Sequence, residues 1–176
     1  MLNSRGFTLV ELLVVIALIG VVLALAVPTT REALSVNDIR KASRRLVGLT
    51  RQLQAEAVRD SIDYILILKI PEGSYRVVTP DMTPEKLLEV EKTQTRKLAQ
   101  GVSVLDIVTQ RNEKTTKDEV RLRFGRNAIG TPAVIHLAEA EERMTLVLNP
   151  YLGVTGIYDR YVDISVNDGL GRASAP

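Results

Sequence analysis

The chain has 176 residues, enough for one domain of modest size plus an anchor and too few for two full domains. A formal net charge of +2 is too small to call for an acidic partner by itself, and the absence of cysteine excludes disulfides, thiolate metal sites and thiol chemistry. Aromatic residues make up 4% of the chain with no tryptophan, which leaves few platforms for stacking nucleic-acid bases.

Phe7 to Val27, FTLVELLVVIALIGVVLALAV, carries a single charge, Glu11. As a helix rising about 1.5 Å per residue it would span roughly 31 Å, close to the ~30 Å hydrocarbon core of a bilayer. Each Leu, Ile, Val or Phe favours insertion by ~0.3 to 0.6 kcal/mol near the bilayer centre, against ~2.5 to 3.5 for a central charge. The apolar residues win, and Glu11 lies near one end. Composition alone leaves two readings open. In one, Arg5, the Leu12–Leu23 core and Ala24-Leu25-Ala26 make a cleaved secretory signal; in the other the helix is a permanent anchor. Glu11 inside the apolar run and Pro28 just past the cleavage pattern fit a signal peptide poorly.

A third reading comes from Gly6-Phe7-Thr8-Leu9-Val10-Glu11-Leu12, preceded by a short leader containing Arg5. This stretch resembles the processing motif of type IV pilins and pseudopilins. The resemblance implies that a prepilin peptidase cuts after Gly6, that the same enzyme methylates the new N-terminal Phe7, and that Glu11 is the family's assembly glutamate. Loss of the leader would reduce the formal charge from +2 to +1. Phe7 and Glu11 are four residues apart and share a helical face, with side chains tilted toward the N-terminus. The Glu11 carboxylate can therefore reach an N-terminal ammonium, its own or a neighbour's. Because an unpartnered buried carboxylate costs several kcal/mol, packing such helices side by side rewards the register that pairs it.

Pro28 removes a backbone donor directly after the apolar run, which would kink the helix or end it; the resemblance implies that helix continues beyond this proline, so a bend rather than a stop is expected. From Thr30 to Arg59, Ile39, Ala42, Leu46, Leu49, Leu53 and Ala57 recur at three- and four-residue spacing, the pattern of an amphipathic helix. The Arg40–Arg45 basic cluster reads as a solvated face that could also meet anionic lipid or an acidic neighbouring subunit.

After Asp60 the period shortens to 2 and turn residues recur, so strands are expected. Ile62–Ile70 and Tyr75–Thr79 form an expected hairpin around Pro71-Glu72-Gly73-Ser74. Asp81–Glu91 reads as a loop with a short helical turn, Leu98–Thr109 as containing a strand, and Gln110–Glu119 as an exposed loop. Val120–Phe124, Ala133–Leu137 and Met144–Leu148 follow as strands, and Val154–Tyr158 with Tyr161–Val166 as a last pair. The tail, NDGLGRASAP, has the composition of a disordered end.

The layout is α+β: a long N-terminal helix, its transmembrane half followed by an amphipathic half, packed on an antiparallel sheet domain. The expected divisions are a leader (1–6), an assembly helix (7–27), an amphipathic helix (28–60), a β-rich domain (61–167) and a tail (168–176). RQLQAEAVRD (51–60), VRLRFGRNAIG (120–130) and LVLNPYLGV (146–154) are similar to the helix-to-strand passage and glycine turns of the H-type minor pseudopilins of type II secretion. That resemblance implies a single-pass inner-membrane protein with its domain in the periplasm. It also implies partnership with major and minor pseudopilins, the prepilin peptidase/methyltransferase, an inner-membrane assembly platform and inner-membrane lipid, near the tip of a pseudopilus.

Two alternatives are a minor pilin of a type IV pilus and a soluble secreted binding domain released after Ala26. No cofactor is implied. The one histidine, His136, has no nucleophile at a catalytic spacing and reads as a packed or edge strand residue. Glu139, Glu141 and Glu142 read as a solvated turn rather than a calcium loop. Gly171-Arg172-Ala173-Ser174 matches half of a Gly-Arg-x-Arg DNA-binding element of some pilus relatives, and one tail arginine engages too few phosphates for nucleic acid to be an expected partner.

Overall fold

The computed structural model describes residues 9–110, 113–127, 129–149 and 153–166, and side chains within these apart from those of 23–37 and 153–155. Eleven elements are assigned among these residues. Helix α1 (Leu9–Asp60) contributes to two compact units divided between Ser35 and Val36.

The first unit consists of helical backbone, which continues past Pro28. The Pro28 side chain and the tail lie outside the described residues.

In the second unit, α1 from residue 36 to Asp60 has one apolar stripe. Ile39, Ala42, Leu46, Leu53 and Ala57 are buried, as the three-and-four spacing requires. The helix stops at Asp60 because Ser61 enters the left-handed region at φ 57°, letting the Ile62 N–H donate back to the Ala57 carbonyl at 3.2 Å.

The rest of the chain forms two antiparallel sheets where the sequence suggested one. In the first, β1 (Tyr64–Lys69) lies between β2 (Ser74–Val78) and β6 (Glu119–Phe124), with the two-residue β3 (Arg96–Lys97) outside β2. In the second, β7 (Ala133–Glu139) and β8 (Glu142–Asn149) are flanked by β4 (Ser103–Thr109) with β5 (Lys114–Thr115) and by β9 (Gly153–Tyr158).

A single core joins the α1 stripe to the inner faces of both sheets. It includes Leu66, Leu68 and Leu122 from the first and Ile107, Ile135, Leu137 and Leu146 from the second. The outer face of each sheet has its own cover. Helix α2 (Pro84–Thr93) lays Val90 on Ile67 and Val78 of the first. Residues 161–166 cover the second, with Ile164 and Val166 packed on Val108, Val134 and Val147.

The hairpin of β1 and β2 and the strands β6 to β9 lie where periodicity places them. Four expectations need correction. Asp81–Glu91 holds a ten-residue helix rather than a turn; Thr83 caps it and Pro84 occupies its first turn, both helix-start residues. Gln110–Glu119 is not simply a loop, since Lys114 and Thr115 pair with Val108 and Ile107. Tyr161–Val166 is not a strand, because its backbone groups at Val162 bond to the side chains of Thr145 and His136 instead of a neighbouring strand. Glu139 is buried, not solvated.

The turn after β6 is locked at both ends. A side chain at Gly125 would bring its Cβ to 2.2 Å from the Ile129 carbonyl oxygen, so only glycine allows the chain to close there. Across from it, Asp63 accepts a hydrogen bond from the Arg126 N–H at 3.0 Å and pairs with Arg123 at 2.6 Å. The Arg126 N–H first, and the Arg123 guanidinium with it, hold the Asp63 carboxyl below the usual carboxylate range against partial burial. A depressed pKa contributes stability that is present above the unfolded-state value of ~3.9 and disappears as pH falls through the lower folded-state value. Asp63→Asn is therefore expected to be less stable than wild type at pH 7, with the gap closing below about pH 4. Urea denaturation across this range checks it; a gap independent of pH would rule out the ionised carboxylate as its source.

Candidate assembly site

From Leu9 to residue 22, every position of α1 is exposed. Leu9 is 80% accessible, Ile16 and Leu18 62% each, and Leu12, Leu13, Ile19 and Val21 all exceed half. Helices of water-soluble domains carry one apolar stripe, whereas this segment is apolar around its whole circumference. Such a surface belongs in hydrocarbon or among other helices.

Glu11 stands in the first described turn of α1, where a carboxylate also meets the positive end of the helix dipole. Gly6 and Phe7 lie outside the described residues. So does part of the Phe7–Val27 run, at its start and, for side chains, from residue 23 on. Among the described residues, no helix is long and apolar enough to cross a membrane.

The second unit holds its own buried polar groups, His136, Asp106 and Glu139 among them. His136 is fully buried on the outer face of the second sheet. Its Nε2 lies 2.9 Å from the Val162 carbonyl, which can only accept, so Nε2 carries a proton. Its Nδ1 shares a proton with Asp106 Oδ1 at 2.6 Å, and the Tyr161 ring stacks on the imidazole with centroids 4.0 Å apart. Asp106 Oδ2 also accepts from the Tyr161 hydroxyl at 3.3 Å and lies 3.4 Å from Lys114 Nζ. The hydrogen bond to Tyr161, ahead of the charge of Asp106, raises the Lys114 pKa.

A bulge in β4 between Val104 and Asp106 creates this cluster. It keeps Val104 and Ile107 on the inner face while turning Asp106 outward, opposite His136. Both imidazole nitrogens are engaged, Nε2 with the Val162 carbonyl and Nδ1 with Asp106 of β4. His136 is thus a packed strand residue, one of the two positions expected for it. Among the described residues, no group of three or more acidic or histidine side chains is placed to hold a metal ion.

Glu139 does different work. It is 5% exposed, and its Oε2 accepts a hydrogen bond from the Ile39 N–H at 2.8 Å. Ile39 lies within α1, so this bond ties a helical N–H to a side chain of β7. Gly101, at φ 85°, makes room, since a Cβ there would lie 3.4 Å from Glu139 Oε1. Glu139→Ala should cost the domain about 1 to 3 kcal/mol and expose the Ile39 amide. Hydrogen exchange at Ile39, with urea denaturation, is the check; unchanged protection would remove this role.

The sequence pointed to Glu11 but not to Asp106 or Glu139. A charge breaking the apolar run VSVLDIVT marked Asp106, and Glu139 was masked by the acidic neighbours Glu141 and Glu142.

Residues 1–27 match the family described as the prokaryotic N-terminal methylation motif. The type II secretion system protein H of Pseudomonas aeruginosa is 37% identical over 89 residues, 51% of this chain and 51% of that protein. The chain thus spans about half the length of the curated relative it matches. The solved structure of the minor pseudopilin EpsH from the type 2 secretion system of Vibrio cholerae superposes with a TM-score of 0.54 at 10% identity, covering 72% of this chain and 99% of that one.

The chain joins an N-terminal methylation motif in residues 1–27 to an α+β domain built from α1 and antiparallel sheets. Over about half its length the chain is similar in sequence to a type II secretion system protein H, and its fold is similar to that of a minor pseudopilin.

Proposed function

We propose that the protein is a structural, non-catalytic minor pseudopilin. It is held in the bacterial inner membrane by the Phe7–Val27 helix, with its domain in the periplasm, and joins the type II secretion pseudopilus near its tip to help drive protein export. Prepilin peptidase removes residues 1–6 and methylates Phe7. The assembly platform then draws the helix into a bundle with other pseudopilins, where Glu11 finds an N-terminal ammonium.

The observation that carries this reading is the helix surface from Leu9 to residue 22, apolar on every side apart from one carboxylate near its start. Hydrocarbon or a helix bundle satisfies the apolar part, and within a bundle a neighbour's N-terminal ammonium would complement the Glu11 charge.

Mass analysis of the N-terminus of protein purified from membranes is the test. The expected species begins with N-methylated Phe7, and it co-purifies with the other minor pseudopilins. A chain beginning at Val27 would replace this reading with a secreted soluble domain.

A further inference from the structure

The charges of the second unit are unevenly matched. On the outer face of the first sheet every cation has a carboxylate: Lys69 pairs with Glu91 at 2.8 Å, Arg76 with Glu119 at 3.3 Å, Arg121 with Glu119 at 2.8 Å and Arg123 with Asp63. On α1 and β3 the balance fails. Arg40 and Lys41 have Asp159 and Asp38, but Arg44, Arg45, Arg51, Arg96 and Lys97 have no ion pair among the described residues.

Arg45 and Lys97 stand, with Lys41, on the rim of a hollow of about 230 Å³ whose floor is Ala42, Leu46, Tyr75, Leu98 and Ala99. Its volume falls below the ~300 to 1,000 Å³ of pockets that enclose a small-molecule ligand or cofactor. The scale suits side chains. Tyr75, 4% exposed, lines the hollow, and its hydroxyl makes no hydrogen bond among the described residues. The Tyr75 hydroxyl is not among the buried side-chain atoms left without a partner, so it opens to the hollow; the hollow combines an apolar floor, two cations without an ion pair and an accessible donor.

We propose that this hollow is the docking site for a carboxylate-bearing segment of a neighbouring subunit: an aspartate or glutamate next to an apolar side chain. The apolar group covers Leu46 and Leu98, and the carboxylate accepts from Arg45, Lys97 and Tyr75. This gives the assembly proposed above one contact surface on the globular domain. It rests on that reading, but its test measures binding alone.

The test uses the full chain in detergent and a fluorescent eight-residue peptide of alternating Leu and Glu. The same peptide with Gln for Glu, and vesicles of phosphatidylglycerol, serve as comparisons. The acidic peptide should bind, and Arg45→Ala with Lys97→Ala should weaken it at least tenfold, as expected for loss of charge-assisted hydrogen bonds. Tyr75→Phe, which keeps the ring in the floor, should weaken it several-fold, and Lys117→Ala with Arg126→Ala should change nothing. Equal binding of the Gln peptide, or insensitivity to Arg45 and Lys97, overturns carboxylate recognition. Arg45- and Lys97-dependent vesicle binding without peptide binding overturns the protein partner in favour of a lipid headgroup. Failure here with a methylated Phe7 intact would leave the pseudopilin reading in place.

Discussion

Glu11→Leu is expected to insert in the membrane at least as well as wild type and to fail in assembly. Removing an intramembrane charge lowers the cost of insertion, by up to ~2.5 to 3.5 kcal/mol if the carboxylate sat at the bilayer centre. The stability of the second unit should not change, because that unit begins after Ser35 and has its own core. What is lost is the charge-assisted bond to an N-terminal ammonium in the bundle, about 1.5 to 3 kcal/mol, or roughly ten- to hundredfold in occupancy. Cross-linking to co-expressed pseudopilins, normalised to membrane-embedded protein, gives the measurement. Glu11→Gln distinguishes charge from hydrogen bonding and should recover only part of the signal. Wild-type incorporation of Glu11→Leu would end the register idea.

Asp106→Ala should be the most destabilising of the substitutions considered. It leaves His136 fully buried with one nitrogen facing a vacated site, and it removes an acceptor from both Tyr161 and Lys114. Breaking a buried pair from one side costs about 3 to 5 kcal/mol. Replacing both members with apolar residues, Asp106→Leu with His136→Leu, should cost much less than the single change, because no polar group is then stranded. Urea denaturation of the two variants separates the outcomes. A single-variant loss under about 1 kcal/mol would mean that the pair contributes no more than a surface contact.

The parts of this protein that could be read in its sequence are those governed by local rules. The α1 stripe follows from three-and-four spacing at Ile39, Ala42, Leu46 and Leu53. The β1–β2 hairpin follows from two β-rich runs around Pro71-Glu72-Gly73. The N-terminal motif was legible as a short pattern in Gly6 to Leu12, and residues 1–27 match the methylation-motif family.

What sequence inspection missed depends on distant partners. Tyr161–Val166 has strand composition, yet Thr145 accepts from its Val162 N–H at 3.0 Å and His136 donates to its Val162 carbonyl, and neither is its sequence neighbour. Asp106 faces outward only because a bulge reverses the parity of β4. Helix α2 was partly visible: Thr83 and Pro84 announce its start, but two prolines beside only Leu87, Leu88 and Val90 suggested something shorter.

The bond between Glu139 and Ile39 joins residues a hundred positions apart. A chain delivered N-terminus first presents the start of its domain helix long before the carboxylate that closes it. That bond cannot form until the β7–β8 hairpin has also emerged, so consolidation of the domain waits on its own last third. Long separations of this kind slow folding, and they leave an interval in which the helix is in place while the sheets are still unmade.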